Sequence, residues 1–167
     1  MTLRDDASEE ATIGQKTDYA KAIFTHNQNL VNFVDTKAGV ILAVDGAILA
    51  ILASSSTALN SGYEQLALGA ALLLIGISAL FGFLIIKPRI SEASQETKIF
   101  YRSILAKSRD DFKISFTSSP REILDDYLNN IYTLATIQKK KFFYLEESLY
   151  CLLLGLVPLI VLVVSVH

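Results

Sequence analysis

The sequence predicts an all-α membrane protein: three transmembrane helices, with a helical cytoplasmic stalk formed by extensions of the first and third spans. Three observations lead there. The 167 residues are 51% hydrophobic, with a mean hydropathy of +0.40, more than an ordinary soluble domain carries. The excess is gathered into runs near the ~20 residues that a helix needs to cross hydrocarbon. All fifteen Lys and Arg lie outside those runs, either up to Lys37 or between Lys87 and Lys141.

Residues 1–16 are rich in acids, with Asp5, Asp6, Glu9 and Glu10 and little apolar content, and are expected to form a flexible tail. A cytoplasmic helix is predicted over 17–37. Its apolar line is read through Tyr19, Ile23, His26, Leu30 and Phe33 to Lys37 at steps of four and three. His26 and Asn29 stand in a polar layer just before the membrane. With only two histidines in the chain and no second ligand at metal spacing, His26 points to no metal site.

The first span is placed at 38–59, about 33 Å of helix. Asp35 and Lys37 form a candidate ion pair at its mouth, and Asp45 lies near its middle. A carboxylate there costs about 2.5–3.5 kcal/mol on insertion scales, so it needs protein, water or a partner beside it, which makes Asp45 the foremost candidate for a gating role. Packing against a neighbouring helix is the plainer role for the same residue. Gly39, Ala43 and Ala47 recur at fourfold spacing with Ala50 and Ser54 beyond them. Lipid packs as well on Leu as on Ala, so this stripe of small residues is expected to meet another helix, within the chain or in a second copy.

A polar break at Ser56, Asn60, Ser61 and Gly62 turns the chain back into a second span at 66–86, making an antiparallel hairpin. Gly69 and Gly76 are further contact candidates there, with Ser78 and Gly82 as a small pair. Lys87, Pro88 and Arg89 end the span. The region 87–147 is expected to be cytoplasmic and mostly helical: one helix from Ser91 to Lys107, a short strand-like stretch from Phe112 to Phe116, and a long helix from Ser119 or Pro120. The long helix carries a heptad line through Leu124, Leu128, Ile131, Ala135, Gln138, Phe142 and Leu145. It continues into a third span at 148–166, where Pro158 is expected to bend it.

The positive-inside rule puts the N-terminus and 87–147 in the cytoplasm, and the Asn60 loop and His167 outside. The cluster Lys139, Lys140 and Lys141 suits anionic lipid better than nucleic acid, for which no recognised fold is present. The chain has no glycine-rich phosphate loop, no G-x-S-x-G, no H-E-x-x-H and one cysteine, Cys151. No enzyme and no cofactor are therefore expected.

Four stretches carry a family resemblance: FVDTKAGVILAVDGAIL, an apolar run ending in KPR, then KIFYRSIL, then EILDDYLNNIYTLATIQKKKFFYLEESL before the last span. In this order and spacing, over Asp18 to Val166, the chain resembles the transmembrane effector domain of bacterial Pycsar antiphage systems. The most specific pieces are the Asp35-Thr36-Lys37-Ala38 tetrad and the stalk pattern Asp125, Asn129, Ile131, Tyr132 and Lys141. The resemblance implies a dormant inner-membrane protein that impairs the membrane when infection raises a cyclic pyrimidine nucleotide, killing the host cell before phage matures; a homo-oligomer is expected separately, from the small-residue stripes on the first two spans. No cyclic-nucleotide-binding β-roll is found here, so a nucleotide-sensing or nucleotide-synthesising partner encoded nearby, or a small pocket made by oligomerisation, is expected to supply the trigger. A non-toxic anchor that recruits a cytoplasmic partner is the alternative.

Overall fold

The computed structural model describes residues 3–55, 61–87, 108–110 and 119–166, and three helices account for nearly all of those described residues. They are α1 (Leu3–Ser55), α2 (Gly62–Ile86) and α3 (Pro120–Val166), each with a stretch long and apolar enough to cross a membrane. No strand occurs among the described residues. The helix expected at Ser91–Lys107 and the strand-like stretch at Phe112–Phe116 lie outside them.

The helix ends follow local chemistry. α2 starts with a capping box: Glu64 N–H donates to Ser61 Oγ (3.4 Å) and Ser61 N–H to Glu64 Oε2 (3.2 Å). The S-x-x-E signal thus starts the helix at Gly62, ahead of the apolar run that begins at Leu66. At α3, Ser119 Oγ accepts from Glu122 N–H (3.4 Å), ahead of Pro120 at a position where proline's missing N–H is no loss. α3 stays helical through Pro158.

α1 begins at Leu3, so the expected flexible tail at 1–16 is replaced from that residue by helix. Once a helix is nucleated, each added residue gains a backbone hydrogen bond. The Ala, Glu, Gln and Lys of this stretch propagate helix well.

The chain divides into two compact units, 1–31 with 89–139 and 32–88 with 140–167. In the first, α1 and α3 meet through an edge-to-face contact of Phe24 with Tyr127 (centroids 5.8 Å apart) and a 2.7 Å hydrogen bond from Gln138 Nε2 to the Asn27 carbonyl. In the second, all three helices pack together, α1 and α3 parallel and α2 antiparallel. Val34, Ala38 and Ile85 form one cluster with Tyr144 and Leu145, and Phe81 stacks on Tyr144. Leu52, Ala71 and Ile75 form another with Ile48, Leu49, Leu68 and Leu159.

The inward lines keep the predicted period but not the predicted phase. In α1 the covered line runs Ala20, Phe24, Asn27, Val31, Val34, Ala38, Ile41, Asp45, Ile48, Leu52, one residue after the expected one; Tyr19 (72%) and Phe33 (51%) are exposed. In α3 it runs Tyr127, Asn130, Leu134, Ile137, Lys141, Tyr144, Ser148, one residue before the expected one; Leu128 and Phe142 are exposed. The expected lines followed the largest apolar side chains. The covered lines instead mix small and polar residues such as Ala38, Asp45, Asn130, Lys141 and Ser148 with larger ones such as Val34 and Leu52.

Candidate functional site

Asp45, Ser78 and Ser148 come from three different helices and meet in the second unit with no solvent exposure. Each lies on the covered line of its helix, so the seven-residue repeat brings them to one level. Ser78 Oγ lies 2.9 Å from Asp45 Oδ2, 2.9 Å from the Ser148 carbonyl and 3.2 Å from Ser148 Oγ. Ser148 Oγ–H donates to the Ser78 carbonyl at 2.9 Å.

The serines bring two protons to this set, so the Ser78 hydroxyl must choose among its acceptors. Asp45 Oδ1 has no hydrogen-bond partner among the described residues. The cluster therefore has more acceptors than donors. Interhelical hydrogen bonds in membranes average about 0.6 kcal/mol and reach about 1.7, less than the ~2.5–3.5 kcal/mol cost of placing an acid at mid-membrane. The knot sets the register of three helices without fully offsetting its own burial. Ser148 was not singled out in the sequence, although it stands exactly seven residues after Lys141 and seven before Gly155 on one line.

The Asp35–Lys37 pair is not formed. Residues two apart on a helix point in different directions. Asp35 is paired instead with Lys141, whose side chain is 7% exposed against 37% for Asp35. Lys37 Nζ stands 5.1 Å from the centroid of the Phe33 ring. Lys141, expected in the stalk region, thus belongs to the second unit, which α3 enters at Lys140.

Gly39, Ala43, Ala47, Gly69 and Gly76 are all exposed, and a Cβ added at any of the three glycines would meet open space. Close approach within the chain falls elsewhere. A Cβ on Gly82 would lie 2.9 Å from Leu42 Cγ, and one on Gly155 would lie 2.9 Å from Ile75 Cγ1 and 3.3 Å from Leu74 Cβ. In the first unit His26 and Asn29 line a shallow open groove with Asp18, Lys21, Ala22 and Thr25. Asp125, Asn129 and Tyr132 are exposed, while their neighbour Asn130 is buried and donates to the Asp126 carbonyl (2.8 Å).

A family model described as the Pycsar effector protein domain matches residues 19–167. No curated protein and no solved structure matches the chain.

Proposed function

Because the chain belongs to the Pycsar effector protein domain family, we propose that this multi-pass membrane protein serves antiphage defence by impairing the membrane it spans. The membrane is the bacterial inner membrane, with the N-terminus cytoplasmic and the C-terminus outside, as the distribution of Lys and Arg favours. Copies associate, a nucleotide-dependent partner supplies the trigger, and loss of the barrier halts the infected cell. No catalysis is involved.

The observation that carries this reading is the buried knot of Asp45, Ser78 and Ser148, with Asp45 Oδ1 unpartnered. A set of acceptors short of donors holds the helices in register while dry. Water admitted between the helices supplies the missing donors, so hydration stabilises the parted state. A simple anchor has no need of such a cluster.

The test is induced expression with a membrane-potential dye, comparing wild type with Asp45→Asn and Asp45→Leu at matched abundance. Both substitutions are expected to change depolarisation, with Leu the more severe because it removes the polar contact. If Asn is silent and Leu acts only by lowering protein level, Asp45 is a packing residue. A potential unaffected by wild type even when its partner is active would favour the anchor.

A further inference from the structure

The hydrogen-bonded knot fixes a common level for the three helices and so allows depth to be compared between them. From that level toward the lysine-bearing end, α1 has no charged residue before Lys37, about 12 Å away, and α2 none before Lys87, about 14 Å away. α3 is different. Glu147 and Glu146 lie one and two residues from Ser148, within about 3 Å of the knot, at a depth where both other helices are apolar; Glu147 is half-buried.

Glu146 is exposed, unlike Asp45. Its described contact is with the hydroxyl of Tyr150, 3.3 Å from Oε1, and Tyr150 is itself 52% exposed. Reaching the level of Lys37 would take about 9 Å, more than a glutamate side chain spans. Charged groups at such depth face a protein interior or water rather than lipid. Lys141, the nearest buried cation on α3, is already paired with Asp35.

We propose that Glu146, with Tyr150 beside it, lines a water-filled vestibule of the leak path and makes that path prefer cations. The inference rests on the membrane-disrupting reading and deepens it. Carboxylates from several copies, ringed at one depth, raise the local cation concentration and repel anions. Beyond Tyr150 the exposed face of α3 turns apolar, with Leu153, Leu154 and Val157. That stretch suits a constriction that closes by dewetting.

The test uses the full chain reconstituted in vesicles and planar bilayers under a KCl gradient. Glu146 is exposed, so Glu146→Gln and Glu146→Lys leave the packed interior intact. Wild type is expected to show a reversal potential on the potassium side, Glu146→Gln one shifted toward zero with Glu147 still in place, and Glu146→Lys one shifted further in the same direction. Leak with the same reversal potential in all three overturns the role of Glu146 and leaves the parent reading standing. Wild-type vesicles that stay sealed at every protein density, although induced wild type depolarises cells, overturn this proposal, because Glu146 then lines no path built by this chain; a cell potential that wild type leaves intact with its partner active overturns the parent reading.

Discussion

Lys141 and Asp35 share an ion pair but not an environment, and the difference sets what each contributes. The lysine side chain is almost wholly covered, whereas more than a third of the aspartate side chain meets solvent. Removing a partner from a buried charge is costly because the remaining charge stays desolvated; an exposed charge simply rehydrates. Asp35→Ala strands the lysine and is expected to destabilise the chain by about 2–4 kcal/mol. Lys141→Met keeps most of the buried volume, frees a hydrated carboxylate, and should cost less than about 1 kcal/mol. Unfolding of the two variants in detergent, followed by helix content against added denaturant, checks the ranking. A larger loss from Lys141→Met than from Asp35→Ala would show that burial of the lysine is not what the pair is for.

At the scale of the helix, small residues on the covered lines decide how closely the elements approach. Gly155 faces Ile75 Cγ1 and Leu74 Cβ, atoms close to the α2 backbone rather than the far ends of flexible side chains, so an added methyl group cannot be cleared by a simple rotation. Gly82 faces the branched end of Leu42, which can turn away. Gly155→Ala is therefore expected to destabilise the second unit by about 1–3 kcal/mol, Gly82→Ala by clearly less, and Gly39→Ala not at all. Thermal unfolding of the three variants in one detergent tests the order, and equal midpoints would contradict the packing. The same glycines show what was legible in the sequence. Three long helices, their apolar runs and the Ser119 start follow from hydropathy and capping chemistry. The phase of the lines does not, because apolar size marks the inside only where water is the alternative. Next to lipid a large side chain is equally well placed outside, as Leu80 and Phe83 are, and the interior goes to Ala38, Asp45, Ser78, Ser148 and Gly155. Asp45 could be singled out because an acid in an apolar run is conspicuous. Ser148 could not, because its meaning comes only from the helices that meet it.

For the whole molecule, the question is which surface a second copy would use. An odd number of spans places the two ends of the second unit on opposite sides of the membrane, so identical copies can associate side by side in one orientation. Their exposed faces are unlike. α3 presents mainly large residues, among them Leu153, Val157, Ile160 and Val164, whereas α1 presents a stripe of small residues, Gly39, Ala43, Gly46, Ala47 and Ala50, beside the exposed Val40, Val44 and Ile51. Small residues bring no advantage against lipid but let two backbones come close, so the α1 face is the expected contact between copies. Ala43→Leu with Ala47→Leu fills that surface without touching the chain's own packing, since both positions are exposed. The double variant should insert and fold as wild type does. Its self-association, measured by mass in mild detergent or by crosslinking in membranes, should weaken at least about tenfold, equivalent to ~1.4 kcal/mol. Unchanged association would move the contact to another face, such as the one carrying Gly69 and Gly76. A wild-type chain that stays monomeric in both measurements would remove the association itself, and with it the multi-copy path that Glu146 is proposed to line.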